Sequence, residues 1–243
     1  MGKYYFLMCL VPPLPDNLGD TLPAGGFGAI ADMAKKNINP EDVDLLHALL
    51  GVFDSLNWEQ FDQGRDCFIH GGTVSLDDML LKSNLPFFIR AFIEEKERGI
   101  HRIYPYDRLW ELYYGYALEI GERYGSRFIA EFLGWEVGLR CALVTQRVRE
   151  RGGDSNNHTI MPFFSSGDFS SILSQIKTKS NPLDAEKMLD EERLRQIHLS
   201  EGFSEFSVDA LLAYLSRAAI FARWERIAGH FDAETYLFNG GLS

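Results

Sequence analysis

Residues 105–153 read PYDRLWELYYGYALEIGERYGSRFIAEFLGWEVGLRCALVTQRVRERGG. Leu109, Leu112, Tyr113, Tyr116, Ile120 and Tyr124 recur at three- and four-residue spacing, the period of one helix face. Pro105 suits a first helical turn, and Gly125 suits a stop. Ser126 can cap a second helix that runs to about Arg151, where Gly152-Gly153 ends it. Two long helices joined by so short a turn fold back on one another as an antiparallel hairpin.

Working outward, a second hairpin is expected downstream. Residues 182–200 form a highly charged helix, Gly202-Phe203 a turn, and residues 207–227 a helix carrying Val208, Leu211, Leu212, Leu215, Ala218, Phe221 and Ala222. Tyr124 with Phe132-Leu133-Gly134-Trp135 lines up with Phe203 and Leu211-Leu212-Ala213-Tyr214, which suggests a duplicated unit. Between the hairpins, residues 152–167 are a polar loop with an apolar tip, Ile160 to Phe164, and Phe231 to Phe238 form an aromatic tail.

Upstream, Pro12 to Gly28 reads as loop, followed by a short helix over 29–38. Asn39-Pro40-Glu41-Asp42 is a helix start, with Leu45, Leu46, Leu49, Leu50 and Phe53 as one stripe. Ser75-Leu76-Asp77-Asp78 starts another helix, broken near Pro86 and resumed to Gly99. Only Tyr4–Val11 and Cys67–Val74 lean towards strand. The fold class is therefore all-α: antiparallel helical hairpins in a repeated, bundle-like arrangement. Residues 1–100 form an N-terminal helical lobe, and residues 101–243 carry the hairpins at 101–152 and 182–227.

Composition narrows the function. The 243 residues carry 24 Lys and Arg against 35 Asp and Glu, a formal charge of −11, and 46% of them are hydrophobic. Such a chain has enough apolar material for a core, and its charge argues against nucleic-acid or anionic-membrane binding. Cys9, Cys67 and Cys141 form no C-x-x-C pair, which suits a reducing compartment. The apolar run from Tyr4 to Val11 is too short to span a bilayer, and Phe6 stands where myristoylation requires Ser or Thr.

Gly26-Phe27-Gly28-Ala29-Ile30-Ala31 satisfies the dinucleotide pattern G-x-G-x-x-A. That pattern acts through a strand directly before the glycines and a βαβ context, neither of which is present here. The chain carries no Walker A sequence, no H-E-x-x-H, no G-x-S-x-G and no kinase signature. The six histidines are scattered, so no cofactor or metal is predicted. Asp77-Asp78 and Asp190-Glu191-Glu192 read as solvated helix faces or first turns.

The unusual feature lies on the helix after Gly125. At 100° per residue, Phe128, Trp135, Leu139 and Leu143 fall on one side of Phe132, and Ile129, Leu133, Val137 and Val144 on the other. Glu136, Arg140 and Arg147 fall between these sets, within the apolar arc, and Glu136 and Arg140 are spaced to pair. Charges there are either a structural ion-pair network or anchors for a protein partner. Arg147, Arg149 and Arg151 complement a helix C-terminus and also offer a docking point on an acidic chain.

Three stretches carry a family resemblance: Tyr4-Tyr5-Phe6-Leu7; Phe132-Leu133-Gly134-Trp135-Glu136-Val137-Gly138-Leu139-Arg140 with Arg147 through Gly152; and Phe206 to Tyr214 with Arg223-Trp224-Glu225-Arg226. Together they resemble an uncharacterised bacterial family encoded beside V/A-type ATP synthase components. That family is similar to the C-subunit of V-type ATPases, the eukaryotic d-subunit. Cys141 departs from the family's pattern.

The resemblance implies an all-helical, non-catalytic component linking the central stalk to the membrane rotor ring in ATP-driven ion or proton transport, or an assembly factor of that complex. It implies a cytoplasmic chain that meets the inner membrane only through its partners in the complex. The C-subunit has three repeated units, and residues 1–100 would supply the third in degenerate form. Glu136, Arg140, Arg147 and Trp135 are then the candidate interface or buried-network residues. Two alternatives stand beside it: a small helical enzyme with a pocket of Tyr113, Tyr116, His101 and the Glu136/Arg140 pair, and an unrelated helical adaptor.

Overall fold

A computed structural model describes residues 3–23, 25–100, 102–161 and 167–229. Among these residues the regular structure is helical, with no strand. The elements are α1 (Tyr5–Leu10), α2 (Gly26–Asn37), α3 (Val43–Asp62), α4 (Leu76–Leu81), α5 (Phe87–Glu97), α6 (Pro105–Tyr124), α7 (Gly134–Glu150), α8 (Ser170–Lys177), α9 (Pro182–Ser200) and α10 (Val208–Ala228). No described helix is long and apolar enough to cross a membrane.

Several boundaries follow the local chemistry. α6 begins at Pro105 and ends at Gly125, whose φ of 67° is the left-handed cap that a side chain resists. The Ser75 side chain accepts from the Asp78 N–H, Asn181 from Leu183, and Ser207 from Ala210, so α4, α9 and α10 start on capped turns.

Other expectations change. Tyr4–Val11 is helical over Tyr5–Leu10, and Cys67–Val74 forms no strand. Six residues are too few to display a helical period. The segment is fixed by distant contacts: the Tyr4 N–H donates to the Phe206 carbonyl at 3.1 Å, and the Tyr4 hydroxyl donates to Asp42. Burial and this hydrogen bond push the Tyr4 hydroxyl up to about 12. α2 starts at Gly26 and so takes in the glycine motif, while α8 arises where no helix was expected. Pro162 to Phe164 and the tail from Phe231 lie outside the described residues.

α3 sits at the centre. Leu45, Leu46, Leu49, Leu50 and Phe53 are buried as expected, but so are Ala48, Asp54, Asn57 and Trp58 on other faces. The helix is enclosed nearly all round, by α6 and α10 among others, instead of showing one stripe to a core. One buried cluster runs from Tyr4 through Leu46, Tyr113 and Leu133 to Trp224, so segments on both sides of residue 100 share a core. A smaller cluster joins Leu139 and Leu143 of α7 to Phe169 and to Leu189 of α9.

Asp54 and Asn57 hold the loop before α4 against α3. Asp54 accepts the N–H groups of Thr73 (2.7 Å) and Val74 (3.0 Å) and the Thr73 hydroxyl (2.6 Å). Asn57 both donates to and accepts from the Ile69 backbone. Gly72 is required there, because a Cβ would lie 2.2 Å from Asp54 Oδ1. Gly28 has an equally local reason: a Cβ would come within 3.1 Å of His70 Cβ, so the second motif glycine serves helix-on-loop packing.

Candidate functional site

The helix entering α7 is irregular. Residues Ile129–Leu133 form a π turn, whose i→i+5 bonds replace the usual i→i+4 set. A constant 100° step therefore fails across it. Beyond it, Val137 and Cys141 face the main core, while Leu139 and Leu143 face the smaller cluster. Trp135 is half-buried between the two, its ring 5.8 Å from Phe169. Glu136 and Arg140 run along the seam.

Glu136 is 7% exposed. Its Oε1 accepts from Arg140 Nε at 3.1 Å and Arg193 Nη2 at 3.2 Å, and its Oε2 from Arg193 Nε at 2.9 Å. Arg193 Nη1 continues to Asp190 Oδ1 at 2.7 Å. Asp190 Oδ2 takes Trp224 Nε1 at 2.7 Å and Arg223 Nη1, and Arg223 Nη2 reaches Glu186 at 2.7 Å. Glu186, Asp190 and Arg193 recur at helical spacing and so share one face of α9. The network thus joins α7, α9 and α10, with three carboxylates (Glu136, Glu186, Asp190) against three guanidinia (Arg140, Arg193, Arg223). Arg140 also lies over the Trp110 ring, 4.5 Å from its centroid, and near Tyr114, which ties in α6.

The electrostatics follow from this geometry. Burial alone would raise the Glu136 carboxyl, but the charges and hydrogen bonds of Arg193 and Arg140 outweigh it and hold the group below its ordinary value. Arg193 and Arg140 are raised against the opposing effect of burial, Arg193 by Glu136 and Asp190 and Arg140 by Tyr114 and Glu136. Taking Glu136, Asp190 and Arg193 largely out of water is costly, and the arginine donors to each carboxylate oxygen are what make it tolerable.

Two sequence expectations need correction. Asp190 is not on a solvated face: it is 1% exposed and the most enclosed member of the network. Its neighbour Glu191 is exposed as expected, while Glu192 is partly buried and pairs locally with Arg195. Arg147 lies outside the arc: it is exposed, because α7 has run past the core by that turn. Sequence reading missed Asp190, Arg193 and Arg223 as network members. The available signal was Arg223-Trp224 on the apolar helix α10, where a buried indole N–H requires an acceptor.

Beside the network lies a half-open cavity of about 140 Å³, lined by residues of α2, α3, α6, the π turn, α7, α9 and α10. Its walls are mostly apolar, from Phe27, Leu50, Phe53, Phe132, Leu215 and Ile220 among others, with Glu136, Arg140 and Arg193 at the polar end. Tyr113 lines it, is 1% exposed, and its hydroxyl has no hydrogen-bond partner among the described residues. Burial pushes that hydroxyl well above its ordinary value.

No family model, curated protein or solved structure matches this chain. Its chemistry is read from the residues themselves. Of the pocket set expected for an enzyme, Tyr113, Glu136 and Arg140 share the cavity. Tyr116 instead packs its ring 5.5 Å from Phe88, away from the cavity lining, and His101 lies outside the described residues. Among the described residues no group of three or more His, Cys, Asp or Glu is arranged to hold a metal ion. Cys141 donates its thiol to the Ile160 carbonyl at 2.8 Å, and burial raises it, which keeps it in the thiol form.

Proposed function

We propose that this chain is a non-catalytic component or accessory subunit of a V/A-type rotary ATPase, acting between the central stalk and the membrane rotor ring. The observation that carries the reading is the network itself. Glu136 and Asp190, its two most buried carboxylates, each accept from two arginines, and Asp190 also accepts from Trp224. Acids held in this way are poorly suited to exchange protons with a substrate. They are well suited to fixing the relative positions of α7, α9 and α10, as a part that transmits torque requires.

The resemblance to the V-type ATPase C-subunit in the segments around Tyr4, Phe132–Arg140 and Arg223 supports the partner assignment. Antiparallel pairing within the 101–152 and 182–227 segments, as a repeat of the kind that family carries, belongs to the same proposal. Arg147, Arg149 and Arg151 supply the docking element. They follow one another at the exposed end of α7, on a chain of formal charge −11, and suit an acidic partner surface.

The test is affinity capture of the tagged chain from gently solubilised membranes of its source, with mass spectrometry of the captured proteins. Recovery of stalk and ring components in fixed ratio is expected. Replacing Arg147, Arg149 and Arg151 together by Gln should reduce that recovery while lowering the melting temperature of the isolated chain by only a few degrees, the cost of ~0.3–1 kcal/mol for each cation lost from a helix C-terminus. Recovery of the chain alone would overturn the reading.

A further inference from the structure

We propose that the outer cleft between α6 and α7 binds a small α-amino acid, its carboxylate on Arg140 and Arg147 and its ammonium on Asp107. The cleft is a half-open space of about 150 Å³, lined by Asp107 and Trp110 of α6, by Arg140 and Arg147 of α7, and by His158 and Ile160 of the loop that follows. A protein cavity of roughly 150 Å³ admits benzene, the size class of the smaller amino acids.

Helical spacing puts Asp107 and Trp110 on one face of the first turns of α6, and Arg140 and Arg147 on one face of α7. Trp110 places the Arg140 guanidinium. The guanidinium lies 4.5 Å from the centroid of that ring, and Trp110 lines the outer cleft but not the central cavity. The Arg140 side chain keeps 34% of its exposure there, while its Nε stays on Glu136.

The neutral donors of the cleft are spent, and its charged groups are not. The Cys141 thiol donates to the Ile160 carbonyl, and the Trp110 indole N–H to Glu59 at 3.2 Å. Among the described residues, the terminal nitrogens of Arg140, the Arg147 guanidinium, the His158 ring and the Asp107 carboxylate form no hydrogen bond, and Asp107 forms an ion pair with neither arginine. Asp107 is half-buried, and burial raises its carboxyl against the opposing charges of Arg102 and His158.

This mixture of signs selects the ligand. A simple anion on the arginines meets the Asp107 carboxylate, and a simple cation on Asp107 meets two guanidinia. A molecule that bears both charges satisfies both: its carboxylate accepts from the guanidinia and its ammonium donates to Asp107. Leu143, Val144 and Ile160 offer an apolar wall to a short aliphatic side chain. The role is independent of the rotary-ATPase reading, and Arg149 and Arg151 of the docking element do not line this cleft.

The experiment titrates the purified full-length chain with L-alanine, L-valine, propionate and propylamine, by calorimetry and by thermal unfolding. At least one of the two amino acids is expected to bind saturably at one site and raise the melting temperature, with propionate and propylamine at least tenfold weaker. Asp107→Asn should weaken the amino acid about tenfold or more, the loss of a hydrogen bond between charged groups, yet leave propionate no weaker. Arg140→Gln should weaken both. Asp107 has no hydrogen-bond partner to lose, so its variant tests the site even if Arg140→Gln fails to fold. Arg149→Gln, outside the cleft, should change nothing. Absence of saturable amino-acid binding overturns the proposal. So does amino-acid binding that Asp107→Asn leaves unchanged, or propionate or propylamine binding as tight as the amino acids.

Discussion

Replacing Asp190 by Asn changes one oxygen to an amide nitrogen at the most enclosed point of the network. Asp190 Oδ1 accepts from Arg193 at 2.7 Å, and Oδ2 accepts from Trp224 at 2.7 Å and from Arg223. Asn retains one acceptor. If its oxygen serves Arg223 and Trp224, its NH2 confronts the Arg193 guanidinium, donor against donor. One charge-assisted bond is lost, about 1.5–3 kcal/mol, and a buried cation is left short of its counter-charge. Removing one partner of a buried pair costs about 3–5 kcal/mol, and Arg193 keeps Glu136, so the lower end applies. At about 2–4 °C per kcal/mol for a chain of this size, the melting temperature should fall by ~6–12 °C.

Thermal unfolding followed by far-ultraviolet circular dichroism, with urea titration for the free energy, measures this. Glu192→Gln is the internal control. It removes a carboxylate two residues away whose Arg195 partner is exposed, and such pairs contribute ~0.3–0.5 kcal/mol. The double variant Asp190→Asn with Arg223→Gln should show a coupling of at least about 1 kcal/mol. A loss for Asp190→Asn below ~1 kcal/mol, or equal to that of Glu192→Gln, would refute the buried-network account.

The same substitution at Asp54 should have nearly the opposite outcome. Burial raises the Asp54 carboxyl against the lowering effect of its Thr73 and Val74 donors and of the Lys35 ammonium. Because its folded value is raised, ionisation weakens the fold as pH rises through that value. Asn keeps an acceptor for the two N–H groups and can donate to the Thr73 hydroxyl, so Asp54→Asn should remain within ~1 kcal/mol of the parent at pH 7, or exceed it. A loss above ~2 kcal/mol in urea titration would contradict this. Glu136 titrates in the other direction. Its folded value is depressed, so its contribution is full above the unfolded carboxylate value of about 4.3 and disappears as pH falls through the lower, folded value. The melting-temperature gap between the parent and Glu136→Gln should therefore narrow once pH falls below about 5 and go on narrowing until the folded group is protonated. A gap independent of pH would count against the pairing.

What could be read from the chain depended on how local the cause was. α6 announced itself through Pro105, its apolar spacing and Gly125, all within one element. α1 did not, since it is held by Asp42 and Phe206, tens and hundreds of residues away. The seam position of Glu136 and Arg140 was visible because two apolar sets flank them on their own helix. The burial of Asp190 was not. α9 is rich in charge, and only the approach of α10, with Arg223 and Trp224, makes one of its acidic positions interior. Nor did periodicity reveal the cavity, because a void is a property of several facing helices and leaves no period in any one of them.

The π turn at Ile129–Leu133 has a consequence for how this chain tolerates insertions and deletions. It accommodates one residue more than an α turn would, so everything beyond it is rotated by one residue's step, about 100°, relative to an uninterrupted helix. Losing a single residue there would let the helix run straight with every side chain of α7 still on its present face, because the turn already absorbs that residue. Straightening the turn with all its residues kept would instead swing Glu136 away from Arg193 and turn Leu139 and Leu143 off their cluster. The segment therefore holds a spare residue, the place where a deletion costs the rest of α7 nothing in orientation.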